Sequence, residues 1–371
     1  MRKGNMVFCW VLLAVTLVSA PLFAGGKKEP AGGPVDLSGL SMEQLIAGAK
    51  KEGRIESVGM PDDWADWGSS WKALNEKYGL THFDTNMSSA EEIAIFKAEA
   101  DSPTKDIGDV GHAYGKIAIA EDVVQGYKPS TWDSIPDWAK DPDGRWILSY
   151  TGTMAFIYNP QLTGGPVRSW ADVAKGSYKV SVGDVIGGAS SQVMVISAAI
   201  ANGGGLSNVR PGIEFFKTLA KAGRIDPANG QWVDRLSRGE IALAANNYDF
   251  RFLGFREQVR AVDSKLNLEV GIPQDGAVTS GYCLIFNKYS PHPHAAALTI
   301  EYLLSDEGQI DRARGLAKPI RDIPLPPDVQ ARVLPGSQYG NTTPVADVNV
   351  LSAACSEVAR LWEAEVLPLM Q

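Results

Sequence analysis

The chain has 371 residues, 44% of them hydrophobic, with 35 Lys and Arg against 43 Asp and Glu and a formal charge of −8. That acidity argues against nucleic acid and anionic lipid as partners, since both call for a basic surface. The length suffices for two α/β domains with separate cores, and no internal repeat divides it.

Arg2 and Lys3 precede an apolar run from Met6 to Phe23, and Leu22-Phe23-Ala24 is an acceptable cleavage triplet before Gly25. Residues 1–24 therefore read as an export signal removed on maturation, and the expected location is periplasmic. An uncleaved anchor is the competing reading, because the run is close to spanning length; Pro21 and the small-residue tail favour cleavage. Cys9 lies inside the apolar run instead of after it, which argues against a lipid anchor. Residues 25–35, rich in Gly, Pro and Lys, read as a flexible leader. Loss of Arg2 and Lys3 moves the net charge by two, from −8 to −10. Only Cys283 and Cys355 remain, and they read as two buried thiols, too few for a disulfide framework.

The mature chain opens with a capping box, Ser41-Met42-Glu43-Gln44, and a helix ending near Gly53. RIESVGM follows as a strand, then the turn GMPDDWADW. Trp67, Trp71, Leu74 and Tyr78 recur at helical spacing, so Trp67 and Trp71 belong to the core face of a helix. Ser88 or Ser89 with Glu91 or Glu92 caps a helix through Ala100. KDIGDVG is a strand with HAYG as its turn, and TGTMAFIYNP is a buried strand. YKVSVGD is another strand, with the turn VIGGASS and the apolar helix QVMVISAAIA after it. EIALAA runs into NNYDF, GYCLIFNK is a strand, and LTIEYLLSDEGQ is a helix. Strands alternating with helices indicate mainly parallel sheets flanked by helices. In such sheets ligands bind beyond the carboxyl ends of the strands, where the turns gather.

In order, GMPDDWADW, SSAEEIAIFKAE with DIGDVG, TGTMAFIYNP, SWADVAKGSYKVSVGD, GEIALAANNYDF, HPHAAALTIEYLLSDEGQ and GLAKPIR resemble a substrate-binding protein of an ABC importer. The nearest group holds the ferric-iron, thiamine, polyamine and phosphonate binders. The resemblance implies a type II periplasmic-binding-protein fold, with two α/β lobes joined by two crossing strands and closing by hinge motion. TGTMAFIYNP resembles the first crossing and SGYCLIFNK the second. Residues 36–156 and 278–371 would form the first lobe and 157–277 the second, with the final helices packing on either. It implies as partners a small-molecule ligand and an inner-membrane permease, with the binding protein a monomer and not an enzyme.

Five turns should face the crevice. Asp62, Asp63 and Trp64 suit a cationic group through carboxylates and an indole face, although Asp is favoured at a helix start in any case. Ser88 and Ser89 are helix caps that could also present N–H groups to an anion. His112 and Tyr114 follow a glycine that permits close approach. Ser190 and Ser191 end a Gly-rich turn that is neither a P-loop nor a dinucleotide fingerprint. In ferric-binding relatives the fifth stretch ends in two adjacent tyrosines; here Asn247 precedes Tyr248, and Asp249 replaces the second tyrosine, which speaks against iron. Arg251 could pair with Asp249 or with a ligand anion, and Asp275 is a further acidic candidate. The mixture favours an organic cation or zwitterion such as a polyamine, thiamine or aminophosphonate. Ferric iron, a phosphorylated solute, and a sensor subunit of the same fold are the alternatives. No cofactor or resident metal is expected. There is no nucleophile elbow and no His-Glu-x-x-His helix, and the acidic pairs alone do not establish hydrolytic chemistry.

Overall fold

The computed structural model describes residues 34–37, 39–227, 231–345 and 347–370; the expected signal peptide, and the leader apart from residues 34 and 35, lie outside the described residues. Among the described residues no helix is long and apolar enough to cross a membrane.

The first helix, Met42–Glu52, is fixed at its start by reciprocal bonds. The Ser41 hydroxyl accepts from the Gln44 N–H, and the Gln44 side chain accepts from the Ser41 N–H. Gly53, at φ 69°, closes it in the left-handed region that suits glycine. Strand β1 (Arg54–Val58) then leads to the helix Trp67–Tyr78, whose Trp67, Trp71 and Leu74 are buried at i, i+4 and i+7. β2 (Thr81–Thr85) lies parallel to β1. A second capping box, Ser88 with Glu91, starts the helix Ser89–Ala98, and β3 (Ile107–Gly111) joins the other side of β1, buried at every position.

HAYG, expected as a turn, is the first turn of a helix, His112–Ala120, which no capping side chain announces. β4 (Val124–Gln125) and β5 (Ile147–Thr153) follow in the same sheet. The single strand expected over TGTMAFIYNP is two strands. β5 ends at Thr153, and β6 (Phe156–Tyr158) belongs to another sheet. The change of partner occurs between them, where the Met154 N–H donates to Val278 and the Ala155 N–H to Asn247.

β7 (Val180–Ser181), β8 (Ile225–Asp226), β9 (Leu243–Ala244) and β10 (Glu269–Gly271) complete the second sheet in the order β10-β6-β9-β7-β8. β11 (Ala277–Asn287) returns to the first sheet between β5 and β3, antiparallel to both. With β12 (Lys318–Pro319) the first sheet runs β12-β5-β11-β3-β1-β2, while β4 and β13 (Thr342–Pro344) pair with β11 off that path. The fold is thus two helix-flanked sheets linked by crossings.

The helix Ala189–Ala201 packs almost wholly buried beside β11, which explains its unbroken apolar run. LTIEYLLSDEGQ divides into the helices Pro293–Leu303 and Asp306–Arg314, because Ser305 caps the second through the Gly308 N–H. The last long helix, Val348–Leu361, packs against both the 112–120 and the 189–201 helices, and beyond it Glu365 pairs with Arg210 and Lys217. The final helices therefore touch helices that flank both sheets, the 112–120 helix beside the first and the 210–221 helix beside the second. Cys283 and Cys355 are buried free thiols, as expected.

Candidate functional site

The turns meet in two groups, 62–64 with 247–251, and 88–90 and 111–114 with 187–192, which are joined through Tyr282 on β11. The Ala90 N–H donates to the Gly187 carbonyl at 3.4 Å across the two sheets' edges. A Cβ added to Gly111 would stand 2.1 Å from Cβ of Ala189, so only glycine permits this approach. Gln192 donates through Nε2 to the Tyr114 hydroxyl at 2.8 Å. At the rim, Arg251 donates to the Asp63 carbonyl at 2.9 Å and its carboxylate at 2.8 Å, with the guanidinium 5.7 Å from the Trp64 ring centroid. The crevice is shut.

Its floor is aromatic. Trp64 donates through Nε1 to the Tyr150 hydroxyl at 2.6 Å, and Tyr150 donates in turn to Asp109. Trp64 also meets Phe250 and Tyr282 edge-on, at 5.3 and 5.2 Å between centroids. Phe250 lies 5.6 Å from Tyr150 and 6.0 Å from Tyr248, and Tyr282 lies 5.8 and 5.9 Å from the same two rings. Three of these pairs, Trp64–Phe250, Tyr150–Phe250 and Tyr248–Tyr282, join elements on opposite sides of the cleft, and each stabilises the closed arrangement by roughly 0.5–1.5 kcal/mol beyond area burial. Tyr150 and Tyr282 stand on β5 and β11, Trp64 on the turn after β1, and Tyr248 and Phe250 at the start of the helix Asp249–Val262. Gly152 makes room for the last two, since a Cβ there would sit 2.6 Å from Phe250.

Beneath the rings two carboxyl groups are almost fully buried, Glu92 at 1% exposure and Asp109 at 1%. Glu92 accepts the Asp109 N–H at 3.0 Å, and a Cβ on Gly59 or Gly108 would collide with its carboxyl. Burial pushes Asp109 up to about 8, against the pull of the Tyr150 hydroxyl and the Arg312 guanidinium. Burial and the neighbouring Asp109 push Glu92 well above its ordinary range. Arg312 lies flat over Trp67 at 3.7 Å and donates to the Ser70 hydroxyl and the Asp66 carbonyl. The Trp67 indole N–H is a further donor facing the Asp109 carboxyl and also pulls against its rise.

The expected residues divide by position. Asp62 and Asp63 are exposed on the rim, and Trp64 is half-buried in the floor. Ser88 caps its helix, and Ser89 accepts the Gly111 N–H at 3.0 Å within its own sheet. Ser190 bonds to Tyr282, while Ser191 is buried in the first turn of its helix. The Asn247 carbonyl is spent on the Ala155 N–H. Tyr248 is buried and bonds to Ser280, and burial holds its phenol well above the usual range, the opposite of a phenolate.

Three positions are occupied in ways the turn argument did not anticipate. Asp249 accepts from the Thr153 and Phe250 N–H groups through Oδ1 and from the Tyr339 hydroxyl through Oδ2, so one oxygen ties the 249–262 helix to the crossing strand and the other to the 336–339 turn. Asp275 accepts the Trp170 and Ala171 N–H groups at 2.9 and 3.0 Å, capping the helix Trp170–Lys175. His112 is buried against Trp146, lowered to about 4 by burial, and lines a separate cavity of about 420 Å³ with Thr151 and Thr279. Sequence reasoning missed Asp109, Glu92, Tyr150, Phe250 and Tyr282. The usable signal was Asp109 in the middle of the apolar strand IGDVG, since a carboxylate in a doubly covered strand demands a reason.

The profile of the family described as bacterial extracellular solute-binding protein matches residues 102–350, more than half of the chain. None of the curated proteins compared matches it. Among solved structures the fold is similar to a ferric binding protein from Campylobacter jejuni, at 18% identity and TM-score 0.65, covering 84% of this chain and 98% of that one. It is similar to the periplasmic binding protein AfuA from Actinobacillus pleuropneumoniae, solved with exogenous fructose-6-phosphate, at 16% identity and TM-score 0.66, covering 84% and 98%. Iron-bound HitA from Pseudomonas aeruginosa shares it at 17% identity and TM-score 0.65, covering 84% and 98%. With two helix-flanked sheets, two crossings and turns converging between them, the chain has the type II periplasmic-binding-protein fold and belongs to the bacterial extracellular solute-binding proteins.

Proposed function

We propose that this protein captures a small organic cation or zwitterion between its two lobes and delivers it, as a monomer with its signal peptide removed, to an inner-membrane permease. The lobes are residues 36–156 with 278–371, and 157–277. Capture proceeds from an open cleft, closure turns on the two crossings, and the closed form docks. The carrying observation is the meeting of turns from both sheets over the aromatic floor and Asp109. The protein acts by binding alone and has no catalytic step.

Iron finds little support in the site, because Tyr248 is buried as a phenol and Asp249 is engaged by backbone and Tyr339. A phosphorylated solute is the second reading, favoured by the start of the helix Ala189–Ala201 behind Gly188, set directly opposite Gly111. A thermal-shift screen over polyamines, thiamine, aminophosphonates, sugar phosphates and ferric citrate tests both. A solute at a hundred times its Kd stabilises by about 2.7 kcal/mol. Stabilisation by ferric citrate alone, with a phenolate absorption band, would overturn the cation reading.

A further inference from the structure

We propose that the cavity of about 420 Å³ walled by Thr151 and Thr279 is a second ligand site, distinct from the cleft, and that it takes a small organic carboxylate with an apolar body. The volume lies within the roughly 300–1,000 Å³ of small-molecule sites. Neighbouring residues of a strand face opposite sides of a sheet, so Thr151 on β5 and Thr279 on β11 point away from the face on which Tyr150 and Tyr282 stack. Lys318 of β12 and Pro344 of β13 flank them, and His112 and Trp138 complete the wall. Both crossings therefore border this cavity, on the side turned away from the ring cluster.

Three polar groups in that wall lack a partner among the described residues. Thr151 is only 6% exposed, yet its hydroxyl bonds to none of them and is open to the cavity, not sealed in the core. The Lys318 side chain is exposed and makes no ion pair or hydrogen bond with them. His112 is 2% exposed, and neither of its ring nitrogens is bonded. Those nitrogens are closed off as the ring stands, and the broad torsion about Cβ–Cγ lets one turn toward an occupant. A buried polar group without a partner is costly, so Thr151 and His112 both favour an occupant that supplies one.

The charge of the occupant follows from the same groups. A hydroxyl and an ammonium both donate, and a neutral imidazole donates from one nitrogen. Among the described residues no carboxylate lines the cavity, and Lys318 is the charged residue in its wall. Donors gathered beside a positive charge suit a carboxylate, whose charge-assisted bonds are about twice as strong as neutral ones. The rest of the wall, formed by Pro319, Ile320, Pro344, Val345 and the Trp138 ring, is apolar and suits a hydrocarbon body. Trp138 is 47% exposed and lies 6.5 Å from His112 between centroids, so it marks the mouth.

The test is calorimetric titration of the mature chain with benzoate, benzamide and benzamidinium, which share one shape and are anionic, neutral and cationic. Benzoate should bind roughly tenfold more tightly than benzamide, and benzamidinium more weakly than either. Lys318→Met should bring benzoate down to the affinity of benzamide. Thr151→Val should weaken benzoate severalfold and leave the unliganded melting temperature unchanged, because the hydroxyl has no partner in the described chain to lose. A purely structural Thr151 would instead lower the melting temperature and spare benzoate. Equal binding of benzoate and benzamide, tightest binding of benzamidinium, no binding of any of the three, or wild-type benzoate affinity in either variant overturns the inference. None of these results bears on the cleft reading, which rests on other residues.

Discussion

Gly111→Ala separates a closing cleft from a permanently joined body. Gly111 has φ −56° and ψ 147°, which alanine adopts without strain, so the first lobe tolerates the methyl on its own. Across the cleft the added carbon would lie 2.1 Å from the Ala189 Cβ. Carbon atoms settle about 3.5–4.0 Å apart, so the lobes must part by roughly 1.5–2 Å at that point. Overpacking of this kind costs about 1–3 kcal/mol, and here the closed state alone bears it. Every 1.4 kcal/mol is tenfold, so solute affinity should fall by roughly five- to a hundredfold with little change in unliganded melting temperature. Calorimetry and thermal unfolding on the same sample read both quantities. Replacing the facing residue as well, Gly111→Ala with Ala189→Gly, should restore most of the affinity. A variant that loses 1–3 kcal/mol of unliganded stability while binding normally would mean that the contact is fixed core, and hinge closure would be refuted.

Other outcomes follow from the same geometry. Arg251→Ala removes a rim ion pair whose Asp63 side chain is 54% exposed, so stability should change by no more than about 1 kcal/mol; a larger loss would make the pair part of the core. Asp275→Ala removes a helix cap and should cost about 0.5–2 kcal/mol with solute affinity unchanged; weakened binding would return Asp275 to the site. Stability should also carry the signature of Asp109. Its carboxyl titrates at about 8 in the fold against an ordinary 3.8, so between those values the folded state holds a proton that the unfolded state has lost. Stability contributed in this way falls as pH rises, by up to about 1.4 kcal/mol per unit. Glu92, Tyr150, Asp84 and Arg312 act on the same carboxyl, so Asp109→Asn is the comparison. His82 and His112, both lowered to about 4, oppose the trend only below their ordinary 6.5. From pH 6.5 to 8 the wild type should therefore lose more stability than Asp109→Asn, and equal slopes would contradict the assignment.

What the sequence made legible was what local chemistry dictates. The Ser41 and Ser88 boxes, the Trp67 and Trp71 face and the buried thiols follow from hydrogen-bond reciprocity, helical period and composition. The meeting of distant turns was legible through the order of strands and helices. The helix starts at His112 and Asp249 were not, because neither carries a capping side chain. The floor of the cleft was the hardest part. Tyr150 and Tyr282 sit on crossing strands 132 positions apart in the numbering, and their pairing exists only through the antiparallel register of β5 with β11. Asp249 and Asp275 look acidic and available in sequence; the donors that occupy them come from Thr153, Tyr339, Trp170 and Ala171, far along the chain.

Small-angle scattering of the mature protein, without solute and at saturation with one that raises its melting temperature, tests the two-lobe mechanism most directly. A larger radius of gyration without solute, and with solute a scattering curve matching the shut structure described here, is the predicted result. Identical curves in both conditions, with binding confirmed on the same samples, would contradict closure about the crossings.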